Sequence, residues 1–316
     1  MEWEQFWKKL LNDDKLRNLI CEMDAVDRAN GSTTNIEQIC HQIYDEYDSW
    51  RAVYEKVQED LWKIIDTFEG VHLHTSRIKS LESLIVKVIT KRREYLMDVK
   101  NKYSYINGDN YYDILTDLIG LRLIINYRGN WKKIHEEILR VFPYNSQMQY
   151  EEDKLLPHSP EKNYLAELPV VYYAQGDDIR EYAEYPLIPK LHKMNYRGIH
   201  YIISFNQTYI ELQVRTIYDE AWSDCDHNYV YKKADNKSHI ALRQMSDVLS
   251  KLTNLCNDIG ELMKDIYDEE LITIHTDGQW HTTLHILKEW DKSVNRMEEV
   301  KQDIREIQCK MVTDDK

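Results

Sequence analysis

This chain has neither a GxxxxGK[ST] loop nor a GxGxxG turn, so neither a P-loop nor a dinucleotide fold is signalled, and any phosphate must be held by side-chain cations. No HExxH occurs. His281 and His285 stand four apart in HTTLH without the intervening Glu, and His72 and His74 in VHLH show no acidic partner nearby. A packing or exposed role is the expectation for all four. The five cysteines, Cys21, Cys40, Cys225, Cys256 and Cys309, form no CxxC pair and are odd in number, which argues against a disulfide framework or a thiolate zinc site. A reducing cytoplasm fits best. No stretch approaches eighteen apolar residues, and MEWEQFWKKLLNDD has neither the basic start nor the apolar run of a signal peptide, so a soluble, unexported protein without membrane contact is expected.

Nine glycines and six prolines in 316 residues leave room for few tight turns and favour long helices. The net charge of -14 disfavours broad attraction to nucleic acid or to an anionic membrane. That average hides a local reversal. Arg77, Lys79, Lys87, Lys91, Arg92, Arg93, Lys100 and Lys102 face only Glu82, Glu94 and Asp98 over the same stretch. A basic segment inside an acidic protein suits a compact polyanion such as a nucleoside triphosphate.

Apolar positions from Ile36 to Val57 recur every three to four residues, as on an amphipathic helix running from Asn35 to about Asp66. A second helix is predicted from about Ile78 to Val99. LIGLRLIIN (Leu118 to Asn126) reads as a central strand because it is nearly all apolar and rich in β-branched residues. Trp131 to Val141 then reads as a helix. His200 to Phe205 and Tyr209 to Arg215 read as two strands joined by Asn206, Gln207 and Thr208, with a helix from Ile217 to about Asn228. From Ser238 on, the chain reads as mostly helical, with a break near Thr273 to Trp280. The pattern predicts an α/β core: a helical segment over 1–70, a central domain over 71–235 and a second helical segment over 236–316.

YIELQVRT (Tyr209 to Thr216) carries the most specific signal. At a period of two it puts Glu211, Gln213 and Arg215 on one face and Ile210, Leu212 and Val214 on the other. Asp117 precedes the apolar strand, so adjacent strands can bring the carboxylates of Asp117 and Glu211 to one point. Magnesium binds through one or two such carboxylates and completes its shell with phosphate and water. Lys79 and Lys87, eight apart, are expected on the same side of one helix, within reach of a triphosphate.

Taken together, SRIKSLESLIVK (Ser76 to Lys87), DLIGLR (Asp117 to Arg122), NYRGIH (Asn195 to His200), ELQVRT (Glu211 to Thr216) and EAWSDCDHNYVYK (Glu220 to Lys232) resemble the synthetase domain of the RelA/SpoT family of alarmone synthetases. The resemblance covers about half the chain. It implies a nucleotidyltransferase-like mixed β-sheet with helices on its faces. It also implies transfer of the β,γ-pyrophosphate of ATP to the 3'-hydroxyl of GDP or GTP, giving (p)ppGpp and AMP. In that scheme Asp117 and Glu211 are catalytic and hold magnesium, and Arg77 and Arg122 sandwich the adenine while Lys79 and Lys87 take the triphosphate. Tyr196 stacks on the acceptor base, Lys193, Arg197 and His200 meet its phosphates, and Gln213 and Arg215 complete the polar face. Trp222, His227 and Tyr231 are expected to support the strand rather than touch substrate.

Three departures bear on the acceptor. Many members have Gly before the tyrosine and Ser after the arginine, where this chain has Asn195 and Gly198. His192 takes the place of the usual lysine, so Lys193 or Lys190 must substitute. Small alarmone synthetases often carry Asn, which helps read guanine, at the position of Glu220. Two alternatives therefore stand beside the alarmone synthetase: a toxin-like member that pyrophosphorylates the 3' end of tRNA, and a nucleotide-binding regulator without catalysis. No HD dipeptide occurs, so the hydrolase domain of long bifunctional members is not expected. The flanking helices suit a homo-oligomer interface, a lid, or a site for an antitoxin or other regulator.

Overall fold

The computed structural model describes residues 2–29, 35–98, 100–148, 155–158, 163–231, 238–275 and 284–313. Three helices lead in: α1 (Trp3–Leu10), α2 (Asp14–Ala29) and α3 (Ile36–Ile65). Asn35 starts α3 with a reciprocal cap, its side chain accepting from the Gln38 amide while the Gln38 side chain accepts from its own. The core then alternates β1 (Leu73–Ile78), α4 (Leu81–Tyr95), the one-turn α5 (Tyr111–Ile114), β2 (Ile119–Ile125) and α6 (Trp131–Val141). It continues with β3 (Tyr164–Leu165), β4 (Val170–Tyr173), β5 (Ile188–Leu191), β6 (Gly198–Phe205), β7 (Thr208–Thr216) and α7 (Ile217–Asp226). Two long helices, α8 (Ser238–His275) and α9 (Leu284–Thr313), follow.

The seven strands form one mixed sheet in the order β1-β2-β7-β6-β4-β5, with β3 beside β6. Pairing of β2 with β7 and of β4 with β5 is parallel, and the remaining pairs are antiparallel. Ile119, Leu121 and Leu123 of β2 and Ile210 and Leu212 of β7 are fully buried on one face. Leu84, Ile85, Val88 and Ile89 of α4 and Ile134 and Ile138 of α6 join them in a single apolar cluster. The mixed sheet with helices on its faces and helical extensions at both ends is the architecture expected from the sequence. Among the described residues no helix is long and apolar enough to cross a membrane.

Two local expectations are corrected. The helix predicted from Ile78 begins only at Leu81, because residues 73–78 pair with β2 and the Lys79 amide extends that ladder to the Leu118 carbonyl at 2.8 Å. Ser80 then caps α4, accepting from the Ser83 amide. Lys79 therefore stands at a strand-to-helix junction rather than two turns before Lys87 on one helix. The hairpin turn is also tighter than expected: Thr208 pairs with Phe205, leaving Asn206 and Gln207 at φ 46° and 59°. This left-handed pair matches the twist of the flanking strands. The expected break near Thr273 falls partly on 276–283, outside the described residues, and α8 continues through His275.

Leu212 lies on the opposite face of β7 from Glu211 and Gln213, and is fully buried. Leu212→Ala is expected to cost about 2–5 kcal/mol in a urea unfolding series, the range for a truncated core leucine. A loss below about 1 kcal/mol would contradict this placement of the core.

Candidate functional site

The register across β1, β2, β7 and β6 lays out the open face in rows. Arg77, Gly120 and Glu211 are neighbours in one row, and Thr75, Arg122, Gln213 and His200 in the next. Strand alternation puts both rows on the same side. A Cβ added at Gly120 would lie 3.7 Å from Cγ and Nε of Arg77, so the arginine stem runs across the bare glycine. Arg77, Gly120, Arg122, Glu211 and Gln213 thus line one shallow hollow.

Asp117 stands at the end of this face, just ahead of β2. Its Oδ2 receives Lys79 Nζ at 2.9 Å and Lys87 Nζ at 2.7 Å. The two lysines converge on Asp117 from different elements, the β1–α4 junction delivering one and the second turn of α4 the other. Asp117 Oδ1 is buried and has no hydrogen-bond partner. A buried carboxylate oxygen left bare is costly, and Asp117 Oδ1 has spare capacity for a cation. Among the described residues no group of three or more His, Cys, Asp or Glu side chains gathers around a common point. The bare Asp117 oxygen suits magnesium, which needs one or two carboxylates and leaves most of its shell to water and phosphate.

Glu211 is tied on both oxygens. Gln213 Nε2 donates to Oε2 at 2.7 Å, and His200 Nδ1 lies 3.4 Å from Oε1. Burial alone would push this carboxyl up, but hydrogen bonding and charge from His200, the Lys87 ammonium and the Gln213 amide outweigh it and hold the pKa at about 2. Lys87 therefore serves both carboxylates, touching Asp117 and acting on Glu211 through its charge.

The chain of contacts continues in both directions from Glu211. Arg215 Nη2 donates to Gln213 Oε1 at 2.5 Å, and Arg215 Nη1 meets Glu220 Oε2 at 2.7 Å. The other oxygen of Glu220 takes Arg122 Nη1 at 2.6 Å. On the other side the Tyr196 hydroxyl lies 2.6 Å from His200 Nε2, and the Arg215 guanidinium covers the Tyr196 ring at 4.8 Å. Burial raises the Tyr196 phenol well above its usual range, so the hydroxyl keeps its proton beside His200.

Tyr196 is ringed by aromatic edges: Tyr172 at 5.6 Å, His192 at 5.3 Å and His200 at 5.5 Å between ring centroids. Sequence reasoning missed Tyr172, since VVYY in β4 has no pattern that marks it. Gly198 makes the fold-back of Tyr196 possible, because a Cβ there would sit 3.2 Å from the Tyr196 hydroxyl and 3.3 Å from Arg215 Cγ. Asn195, at φ 57°, turns the chain and donates to Asp247 of α8 at 3.1 Å.

Two residues of the expected set stand apart. Arg197 is buried and grips Asp177 with Nε at 2.7 Å and Nη2 at 3.0 Å, while Nη1 donates to Ser250 of α8 at 2.9 Å. It ties the strand to a loop and a helix, away from the Glu211 chain. Lys193 is exposed in the turn before β6. Trp222 is buried and donates to Ser246 of α8. His74 does have an acidic partner, contrary to the sequence reading: Asp66 Oδ1 lies 2.8 Å from its Nε2. His281 lies outside the described residues.

The fold and its open face define a mixed-sheet α/β protein that gathers carboxylates, lysines and arginines on one side of the sheet. Residues 76–236 match the family model described as "Region found in RelA / SpoT proteins". The chain belongs to the RelA/SpoT family. It is also similar in fold to a GTP pyrophosphokinase family protein from Streptococcus pneumoniae, at 15% identity and a TM-score of 0.43 over 72% of this chain and 97% of that one. The small alarmone synthetase 1 from Bacillus subtilis matches at 16% identity and a TM-score of 0.42, over 71% of this chain and 99% of that one. No curated protein matches the chain.

The low pKa of Glu211 has a measurable consequence for stability. Its ordinary value is 4.5 and its folded value about 2, so its contribution is fully present above pH 4.5 and is lost as pH falls toward 2. The unfolding midpoints of the parent and of Glu211→Gln should differ by a constant amount above about pH 5, draw together below it and converge only below about pH 2. A gap as wide at pH 2.5 as at pH 6 would show that the carboxylate charge is not what the surrounding groups hold.

Proposed function

We propose that the protein is an ATP pyrophosphokinase that transfers the β,γ-pyrophosphate of ATP to the 3'-hydroxyl of GDP or GTP, as a small alarmone synthetase with one synthetase domain. The observation that carries this reading is Asp117, held by Lys79 and Lys87 with its second oxygen bare and joined through the Lys87 charge to Glu211, which shares a hollow with Arg77 and Arg122. A nucleoside triphosphate needs cations for its phosphates and flat groups for its base, and this face offers both. Guanidinium stacks on aromatic rings, so Arg77 and Arg122 suit the adenine on either side. Lys79 and Lys87 exchange Asp117 for phosphate oxygens as the triphosphate enters.

Asp117 and Glu211 would hold magnesium, whose charge neutralises the phosphate oxygens. In the transfer, the acceptor 3'-oxygen bonds to the β-phosphorus, the bond from that phosphorus to the α,β-bridging oxygen breaks, and AMP leaves. The hydroxyl proton is released as the new ester bond forms. In this scheme the negative charge of Glu211 places cation and hydroxyl in line and takes the proton from the attacking hydroxyl. Its neighbours His200 and Gln213 keep that charge in position. Tyr196 provides the aromatic surface for the acceptor base, where stacking is worth roughly 1–3 kcal/mol.

A second reading of the acceptor rests on Glu220. Both of its oxygens are occupied by arginines, whereas an Asn at this position helps small alarmone synthetases read guanine. A less selective acceptor site favours transfer to the 3' end of tRNA, as in toxin-like members of the family.

The test is to incubate the protein and magnesium with ATP labelled at its β-phosphate, offering GDP, GTP and deacylated tRNA separately. Label should appear on a guanosine nucleotide with equimolar AMP, and Glu211→Gln and Asp117→Asn should each lower the rate by at least about a hundredfold, the scale for lost electrostatic stabilisation at a reacting centre. Label on tRNA alone would replace the first reading with the second. No AMP with any acceptor would leave a nucleotide-binding regulator.

A further inference from the structure

The Glu220 carboxylate links the donor arginine to the acceptor strand. Oε1 holds Arg122 at 2.6 Å and Oε2 holds Arg215 at 2.7 Å. Arg122 lines the hollow beside Arg77. Arg215 covers the Tyr196 ring and fixes Gln213, which in turn fixes Glu211. We infer that Glu220 is a positioning residue shared by the two halves of the site, one carboxylate setting both the guanidinium that meets the donor base and the guanidinium that orders the acceptor tyrosine. The inference rests on the function proposed above and adds a residue whose role there is neither catalysis nor direct base reading.

Glu220 is placed for this duty by its own element. It lies in the first turn of α7, whose start is fixed by Thr216: the Thr216 hydroxyl accepts from the Asp219 amide at 3.1 Å and donates to the Asp219 carboxylate at 2.7 Å. Asn257 of α8 donates to the same Thr216 oxygen at 3.0 Å. The carboxylate therefore projects from a fixed helix start over the ends of β2 and β7. Arg215 has little freedom to respond if Glu220 is lost. It is 6% exposed, its Nε has no partner, and Ser223 is its other contact on α7, at 3.0 Å. Arg122 is a third exposed and has no other hydrogen-bond partner among those described. Two guanidiniums sharing a carboxylate repel once it is neutral, and the freer of them moves. Removing the charge is thus expected to displace Arg122 from the donor side and to loosen Arg215 over Tyr196.

Glu220→Gln keeps the shape and removes the charge. With magnesium present, we expect its affinity for a non-hydrolysable ATP analogue to fall about tenfold, a 1.4 kcal/mol change, and its KM for the guanosine acceptor to rise by a similar factor. The thermal midpoint should stay close to that of the parent. A double-mutant cycle supplies the readout that a merely structural role would not move. In an Arg122→Ala background, Glu220→Gln should no longer change ATP-analogue affinity but should still raise the acceptor KM. Arg215→Lys should raise the acceptor KM and leave ATP-analogue affinity unchanged. An active parent whose Glu220→Gln variant keeps both parameters, or shifts only one, overturns the shared role, as does additivity with Arg122→Ala. If Glu220→Gln is too unstable to assay, the two arginine variants decide alone, and a parallel change of both parameters in each sinks the inference. A parent that transfers no pyrophosphate to any acceptor defeats the proposed function instead.

Discussion

Parallel pairing of β2 with β7 is the constraint from which the site follows. The two strands are about ninety residues apart in the chain, yet Gly120 faces Glu211 and Arg122 faces Gln213 across the ladder. Antiparallel β1 on one side and β6 on the other extend the same rows to Arg77 and His200. A shift of one residue in the β2–β7 register would turn the carboxylate and amide toward the apolar core. The fully buried Ile119, Leu121, Ile210 and Leu212 on the opposite face resist that shift. The same hydrophobic alternation therefore builds the core and aims the polar groups.

On this sheet the charges are arranged as shared pairs. Asp117 serves two lysines, Lys87 acts on two carboxylates, and Glu220 serves two arginines. A protein with a net charge of -14 keeps a positive surface only where neighbouring anions are few and bound. Helix α8 does not stand off as a separate layer. Through Asp247, Ser250 and Ser246 it holds Asn195, Arg197 and Trp222, so the loop carrying Tyr196 is braced from behind.

Much of this was legible in the sequence, and the remainder fails for identifiable physical reasons. The period-two pattern of Tyr209 to Thr216 reports both strand and polar face directly, because one side of β7 is core. The run around Leu118 to Asn126 is recognisable for its buried apolar residues. Residues 73–78 are not recognisable as a strand: their alternation is weak at the sheet edge, and SRIKSLESLIVK carries helical periodicity through the boundary at Ser80. Strands β3, β4 and β5 are two to four residues long, too short to show a period. Arg197 is a different failure. Its residue type suits a phosphate, but its partner Asp177 is a loop residue that only the fold brings near. Glu220 was visible as a departure from the family pattern, while its bridging of Arg122 and Arg215 depends on geometry no spacing encodes.

The central claim is that Asp117, with the lysines around it, is where a metal-bound triphosphate sits on this sheet. The most direct measurement is calorimetric titration of a non-hydrolysable ATP analogue into the parent and into Asp117→Asn, each with and without magnesium. The account predicts parent binding that weakens at least about tenfold when magnesium is withheld, a difference of 1.4 kcal/mol or more, and no such dependence in the variant. Equal affinity under all four conditions would contradict it.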